Sequence, residues 1–177
     1  KSQNILPGRR TVVAGSGPLL LAVANGILKA GGEVAAVVDL ASRGEWVGTL
    51  PSLLGRPDLV RQGIEWQWKL RSEGVPVYYR HAIRSVSLVD DGFTIRIGRV
   101  DAAGAPVQAP LVELYADAVA VGNGLVPGTD VTRLLRARHR FEGRLGGWIA
   151  QSDESGRTSV PGLYIAGDGA GIAGAAA

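Results

Sequence analysis

The sequence predicts an α/β fold of three layers, because three patterns follow one another along the chain. An apolar strand, a glycine turn, a helix and a second apolar strand fill residues 11–39, which is one βαβ unit with parallel strands. A helical pattern runs over residues 57–71. Residues 85–115 alternate as an antiparallel meander does. We expect a short parallel sheet with helices on one face and the meander on the other.

The remaining elements are shorter. The second strand, residues 33–38, is apolar almost throughout, as a strand buried on both faces should be. Short strands are predicted at 75–79 and 118–121. The sequence becomes less regular after Leu125, where we place a domain boundary. Beyond this boundary we expect two further elements, a short helix at 129–135 and a last strand at 162–166.

Composition limits the chemistry that the chain can perform. Of 177 residues, 46% are hydrophobic and 20% charged, which is typical of a globular domain. The chain has no cysteine, so redox chemistry would need a bound cofactor. No apolar run reaches the roughly 18 residues that span a bilayer. The net charge of +3 comes from basic residues interleaved with acids, so we expect no nucleic-acid partner. The expected location is the cytoplasm, with peripheral membrane attachment through a partner as an alternative.

A glycine-rich turn follows the first strand and is the first candidate site. Its residues are Gly15, Ser16, Gly17, Pro18 and Leu19. In doubly wound sheets this turn presents backbone N–H groups and a helix N-terminus to the pyrophosphate of a dinucleotide. Gly15 would make the tight turn, and Gly17 would let the backbone approach the phosphates. Asp39, which ends the next strand, is correctly spaced to bind an adenosine ribose.

Two residues qualify this interpretation. Leu20 occupies the position of the third glycine of the fingerprint, which predicts a wider helix–sheet spacing or a shifted helix. The alternative is therefore a turn that binds no ligand. Asp39 would repel a ribose 2′-phosphate, although Arg43 could offset its charge. We accordingly expect NAD or another adenine nucleotide rather than NADP.

Two later segments resemble a known superfamily. Residues 158–168 (TSVPGLYIAGD) and 116–127 (ADAVAVGNGLVP) are similar to the FAD-contacting segment and the crossing strand of the two-dinucleotide-binding-domain flavoproteins, the glutathione reductase-like superfamily. The resemblance implies that Asp168, after Gly167, binds the ribityl chain of FAD, and that Gly122 lies on the strand that leaves the NAD-binding domain. The alternative for Gly167 and Asp168 is a plain turn after a strand.

Three motifs narrow the resemblance, namely GSGPLLL at 15–21, GGW at 146–148 and GDGAGI at 167–172. They most resemble the flavoprotein subunits of hydrogen cyanide synthase, opine oxidase and dye-linked proline dehydrogenase. The resemblance implies an FAD-dependent oxidoreductase subunit that oxidises an amine, imino acid or amino acid and works with a partner subunit. Two alternatives stay open, an NAD(P)H-dependent flavin reductase component and a non-catalytic adenine nucleotide-binding module.

The resemblance also implies how the chain is organised. Residues 1–8 would be a linker or tag remnant, residues 9–125 an NAD(P)-type nucleotide-binding domain of Rossmann-like fold, and residues 126–177 the returning segment of a discontinuous FAD-binding domain. In this superfamily the other part of the FAD domain precedes the NAD domain. The chain therefore resembles a middle fragment, which we expect to be inactive and to hold no FAD alone, whereas the intact protein would hold it.

The same comparison bears on hydride transfer. Superfamily members that accept hydride from a nicotinamide usually carry glycine at the position of Leu20 and glutamate at the position of Ala22. Neither is present here. We expect the turn to hold its nucleotide structurally, or to be vestigial, while electrons reach the flavin from a substrate on a partner subunit.

No residue is predicted to be catalytic and no metal site is predicted. His81 and His139, the only histidines, lie far apart and lack a carboxylate cluster at ligand spacing. Trp66 and Trp68 lie two residues apart on a predicted helix, so we expect at least one to be exposed. A small basic cluster is expected to form a solvated loop: Arg136, Arg138, His139 and Arg140.

Overall fold

The computed structural model describes residues 5–17, 19–48 and 57–172, and the chain divides into two compact units between Gly124 and Leu125. The helices and strands of the N-terminal unit are β1 (Arg10–Gly15), α1 (Leu19–Lys29), β2 (Glu33–Asp39), α2 (Arg43–Gly48), α3 (Pro57–Ser72), β3 (Val77–Tyr79), β4 (His81–Val89), β5 (Gly92–Arg99), β6 (Val112–Ala116) and β7 (Ala118–Gly122). Those of the C-terminal unit are α4 (Asp130–Leu134), β8 (His139–Glu142) and β9 (Gly147–Ala150).

A four-stranded parallel sheet forms the middle layer of the N-terminal unit. Its strand order is β3-β2-β1-β7, so the glycine turn leaves from an inner strand. The burial of β1 and β2 on both faces agrees with their nearly continuous apolar sequence. The predicted βαβ unit is confirmed, and β7 adds a fourth parallel strand beside β1.

Each face of this sheet carries its own apolar core. Val13 and Val37 pack on one face against α1 and α3, which contribute buried residues such as Leu21 and Leu70. Val12, Ala14, Ala36 and Val38 form the other face, and they pack against Ile95 and Ile97 of β5. Successive residues of a strand point to opposite faces, which is why one run of valines and alanines serves both cores. The predicted three-layer arrangement is confirmed.

The meander has the order β4-β5-β6 and begins earlier than predicted, at His81. The cause is Arg80, whose φ of +56° turns the chain sharply away from the parallel sheet. The Arg80 N–H donates to the carbonyl of Ala41, and its own carbonyl accepts from the N–H of Val100. A corner with both backbone groups satisfied allows β4 to start directly after β3.

Two predictions for the C-terminal unit are wrong. No strand forms at 162–166, since Gly162 has a φ of +80° and Tyr164 makes only an isolated bridge to Arg157. The basic cluster is not a simple loop, because His139 and Arg140 belong to β8, which pairs with β9. Whether either segment forms a strand depends on its pairing with a neighbouring strand, and local composition does not reveal that pairing.

The Asp117 side chain links the residue between β6 and β7 to the backbone at the start of β1. Its carboxylate accepts hydrogen bonds from the backbone N–H groups of Arg9 and Arg10, each at 2.9 Å. The Asp117 N–H in turn donates to the carbonyl of Arg10. A side chain at Gly8 would come within 2.3 Å of the Asp117 carboxylate, so glycine is needed there. Asp117 therefore anchors the start of β1 beside the junction of β6 and β7.

We expect Asp117→Ala to lower the free energy of unfolding by about 1–3 kcal/mol, because two backbone donors lose a charged acceptor. Urea denaturation of the intact protein measures this. Glu113→Ala is the matched control, since it removes only an exposed ion pair with Arg96 and should cost about 0–1 kcal/mol. Equal losses in the two variants would contradict the anchoring role of Asp117.

Candidate functional site

Three of the predicted site residues meet at the carboxyl edge of the parallel sheet. Gly15 ends β1, and the strand register places it beside Asp39 of β2 on one side and Gly122 of β7 on the other. Open parallel sheets bind ligands outside this edge, where the turns leave the strands. The three residues are far apart in sequence, so their meeting depends on the parallel pairing of all three strands.

Gly15 is required by the packing of the sheet. It has a φ of +142°, and a Cβ atom on it would lie 1.8 Å from the carbonyl oxygen of Gly122. The N–H of Ser16 donates to that same oxygen at 2.9 Å, while the carbonyl of Gly15 accepts from the N–H of Leu40. The first glycine of the turn thus joins β1 to β7 and to the chain that follows β2.

Gly17 differs, because its surroundings are open. It has a φ of +91°, and a Cβ atom placed on it would meet nothing within 4 Å. Its carbonyl accepts from the N–H of Leu20 at 3.2 Å as α1 begins. The open space in front of Gly17 is where a phosphate would have to approach the backbone. Pro18 lies outside the described residues.

The start of α1 places two leucines differently. Leu19 is 49% exposed at the first position of the helix, whereas Leu20 is 2% exposed and packs in the core between α1 and the sheet. Leu20 therefore replaces the third glycine of the fingerprint with a core side chain. The wider helix–sheet spacing inferred from it stays a prediction.

Asp39 lies where the sequence placed it, but its side chain is only 2% exposed. One carboxylate oxygen, Oδ1, accepts a hydrogen bond from the N–H of Ala41 at 2.9 Å. This local bond closes the turn after β2, a role that aspartate often has in turns. The carboxylate is thus almost closed to solvent in this structure.

Arg43 and Tyr79 form a second feature of the same edge, which the sequence alone did not reveal. Tyr79 ends β3 in register with Asp39, and the Arg43 guanidinium lies 5.0 Å from the centre of its ring. Partial burial raises the pKa of the Tyr79 phenol above its ordinary value, the Arg43 charge opposes this rise, and the Asp39 charge adds to it. The phenol therefore keeps its proton at neutral pH.

Reciprocal hydrogen bonds fix the start of α2. The N–H of Ser42 donates to Glu45 Oε2 at 2.6 Å, and the N–H of Glu45 donates to Ser42 Oγ at 3.1 Å, which is a capping box. The bond from the Ser42 N–H is the main reason that the pKa of Glu45 lies below its ordinary value. Arg80 also pairs with Glu45 at 2.8 Å. The Ser-x-x-Glu spacing of residues 42–45 is the signal that could have revealed this cap.

The predicted FAD-contacting residues lie in the C-terminal unit. Gly167 has a φ of +58° and opens a 3₁₀ turn, and the exposed Asp168 follows it. The Asp168 carbonyl accepts from the N–H groups of Gly128 and Gly171, each at 3.3 Å. The backbone of Asp168 therefore holds the turn, while its carboxylate is accessible to solvent. Each unit thus contains one of the two predicted cofactor sites.

Each of the two histidine rings has a nitrogen within hydrogen-bond distance of a neighbouring oxygen atom. Nδ1 of His81 lies 2.7 Å from the carbonyl oxygen of Tyr79, and Nε2 of His139 lies 3.0 Å from the hydroxyl of Thr132. Within residues 5–17, 19–48 and 57–172, no group of three or more His, Asp or Glu side chains could hold a metal ion. In the same ranges no helix has the length and apolarity needed to cross a bilayer.

The tryptophans behave as predicted. Trp66 packs against the core under α1, whereas Trp68 is 73% exposed. Trp66 also contributes its carbonyl as a weak acceptor for the side-chain amide of Asn25.

We expect Gly15→Ala and Gly17→Ala to differ in stability although both remove a glycine of the same turn. Both positions have a positive φ angle, and an alanine at such an angle costs about 1–2 kcal/mol. Gly15→Ala additionally forces the Cβ into the carbonyl of Gly122, a packing strain of about 1–3 kcal/mol or more. Urea denaturation should therefore rank Gly15→Ala as the less stable variant, and the opposite order would show that the two strands are less tightly packed than described.

The chain is similar along nearly its whole length to subunits of two bacterial enzymes. No family model matches it. It is 29% identical over 180 residues to the A subunit of opine oxidase from Rhizobium meliloti strain 1021, covering 99% of this chain and 38% of that protein. It is 30% identical over 175 residues to hydrogen cyanide synthase subunit HcnB of Pseudomonas aeruginosa, covering 98% of this chain and 37% of that protein. The chain therefore spans little more than a third of these curated relatives.

Solved structures share the fold at lower identity. The bacillithiol disulfide reductase of Staphylococcus aureus is 15% identical, with a TM-score of 0.58 over 94% of this chain and 44% of that one. The NAD-dependent persulfide reductase of A. fulgidus is 24% identical, with a TM-score of 0.56 over 88% of this chain and 24% of that one. The predicted resemblance is thus confirmed: over nearly its whole length the chain is similar to the opine oxidase A subunit and to hydrogen cyanide synthase subunit HcnB, and it shares its fold with solved Rossmann-type, disulfide reductase-like flavoproteins.

Proposed function

We propose that this chain is the nucleotide-binding part of an FAD-dependent oxidoreductase subunit that oxidises an amine, imino acid or amino acid. The observation that carries this proposal is the similarity over 99% of the chain to a subunit of opine oxidase. A second relative is a subunit of hydrogen cyanide synthase. Since both relatives are named as subunits, the proposal includes a partner subunit in a hetero-oligomeric oxidase.

The geometry of the N-terminal unit supports a nucleotide at the glycine turn. The approach to Gly17 is open, and α1, an 11-residue helix, begins two residues later. Backbone N–H groups at such a turn favour the pyrophosphate of a dinucleotide. Gly15 and Gly122 would fix the turn by joining β1 to β7, with Ser16, Pro18 and Leu19 beside the phosphates. We propose this for residues 9–125.

The C-terminal unit supports a flavin in the intact protein. Asp168 offers an exposed carboxylate directly after Gly167, which suits the acceptance of a hydrogen bond from a polyol hydroxyl. We propose that residues 126–177 are the returning segment of a discontinuous FAD-binding domain, and that this chain alone is inactive. FAD, when bound, supplies the two-electron acceptor for an amine C–N bond that is oxidised to an imine.

A second candidate function is an NAD(P)H-dependent flavin reductase component. It is favoured by the shared fold with an NAD-dependent persulfide reductase. Two residues of α1 argue against it, because the core side chain of Leu20 replaces the expected glycine and Ala22 has no carboxylate for the nicotinamide end. A hydride donor must lie close to the flavin in an aligned pose, and both changes affect that part of the site.

Anaerobic reduction of the full-length protein, purified with its partner subunit, separates these functions. We expect flavin absorbance in the purified protein, rapid bleaching after addition of an amino-acid or opine substrate, and slow bleaching after stopped-flow mixing with NADH or NADPH. Rapid bleaching by a reduced nicotinamide would instead support the reductase component. A protein without flavin that still binds adenine nucleotides would support the non-catalytic binding module.

We expect Asp168→Ala in the full-length protein to weaken FAD retention by about 10- to 100-fold, the effect of losing one hydrogen bond to a charged group. The flavin-to-protein absorbance ratio after dialysis measures this. Glu154→Ala is the matched control, because it removes an exposed carboxylate from a neighbouring turn of the same unit. Equal flavin content in both variants would remove Asp168 from the FAD site.

A further inference from the structure

We infer that Arg80 is a positioning residue for the nucleotide site, although it lies outside that site. It holds the segment that follows β2, residues 40–45, beside the glycine turn, so that the adenosine half of a dinucleotide meets an ordered surface. This inference rests on the proposed function, because it requires a nucleotide at the glycine turn. Three observations support it: the backbone angle of Arg80, the contacts of its guanidinium, and the contact of residues 40–45 with Gly15.

The backbone angle of Arg80 is unfavourable for an arginine. Its φ of +56° lies in the left-handed region, where glycine is favoured because a Cβ atom crowds the backbone. The corner between β3 and β4 would therefore form more easily with glycine. Strained backbone angles are common at functional sites, where the surrounding contacts hold them in place. A side chain at such an angle indicates that the side chain itself has a role.

The guanidinium of Arg80 joins two segments of the N-terminal unit. On one side, Nη1 donates to the carbonyl of Asp101 at 2.9 Å. The Asp101 carboxylate accepts from the N–H groups of Ala103 and Ala105, which closes the turn after β5. On the other side, Nη2 donates to Glu45 Oε1 at 2.8 Å. The side chain therefore connects a closed turn of the meander to the first turn of α2.

The backbone of Arg80 holds the same segment near its start. The Arg80 N–H donates to the carbonyl of Ala41 at 3.1 Å. The preceding residue, Leu40, donates its N–H to the carbonyl of Gly15 at 2.9 Å, so residues 40–45 contact the glycine turn directly. Arg80 thus restrains the segment at both ends, by its backbone near the start and by its guanidinium near the end.

These contacts should affect binding more than folding. The side chains of Arg80 and Glu45 are 25% and 52% exposed, and ion pairs that are open to solvent add little to stability. A segment that is already ordered costs less to order when a ligand binds, so its restraint raises affinity. Arg80 therefore contributes to the affinity for the adenosine half without touching the ligand.

The test is the affinity of the full-length protein, purified with its partner subunit, for NAD⁺ and for ADP. Isothermal titration calorimetry measures the affinities, and urea denaturation measures stability. Arg80→Gly relieves the backbone strain and removes the guanidinium. We expect it to leave the urea midpoint unchanged or raised and to weaken both probes equally, by about 10-fold. The factors should be equal because both probes contain the adenosine half.

Three further variants make the test specific. Arg80→Lys keeps a cation that can pair with Glu45 and should restore part of the affinity lost in Arg80→Gly. Glu45→Gln can still cap α2 but loses the ion pair. Combined with Arg80→Gly, it should lower the binding free energy by less than the sum of the single changes, because both side chains act through one contact. Arg96→Gln removes an exposed ion pair of the meander and should leave both affinities unchanged.

The outcomes separate this inference from the proposed function. If Arg80→Gly binds both probes as tightly as the wild type, the inference is wrong and the nucleotide site stands. If every Arg80 variant loses affinity only in proportion to lost stability, Arg80 is a structural residue and the inference is also wrong. Should Arg80→Gly not fold, Glu45→Gln carries the same test, and unchanged affinity in it contradicts the inference. If the folded wild type binds neither NAD⁺ nor ADP, the proposed nucleotide site is wrong, and the inference falls with it.

Discussion

The close approach of Gly15 to the carbonyl of Gly122 is the constraint on which the rest of the N-terminal unit depends. No side chain fits between β1 and β7 at this point, since a Cβ atom would lie 1.8 Å from the carbonyl oxygen. The approach allows the N–H of Ser16 to reach the same oxygen, and that bond directs the chain off the sheet toward α1. The open space at Gly17 and the exposed start of the helix follow from this direction.

The central layer was predictable because its signals are local and mutually consistent. Each pattern along this layer indicates one kind of structure. The valine and alanine runs indicate the buried strands β1 and β2, the glycines indicate the turn between β1 and α1, and the acid marks the end of β2. Residues 162–166 show where this reasoning fails. Their apolar sequence suits a strand, but the positive φ of Gly162 and the absence of a paired neighbour among the described residues leave only one bridge, at Tyr164.

The candidate site was predictable in position but not in chemistry. Sequence spacing located Asp39 correctly, because the length of a βαβ unit varies little. It could not reveal that the carboxylate accepts from Ala41, since a turn bond depends on the backbone angles after β2. Nor could it bring Tyr79 to Arg43, because that contact depends on the parallel pairing of β2 with β3, some 40 residues apart in sequence. The pairing of strands that are distant in sequence thus determines which charged and aromatic groups meet at the carboxyl edge of the parallel sheet.

The different surroundings of the two turn glycines have an evolutionary consequence. A lineage that abandoned the nucleotide would be able to exchange the second glycine for residues tolerant of its backbone angle, because nothing lies nearby to obstruct them. The first glycine would persist, since selection for a folded sheet alone preserves it. In descendants of this chain, loss of ligand binding should therefore appear as drift at position 17 while position 15 stays invariant.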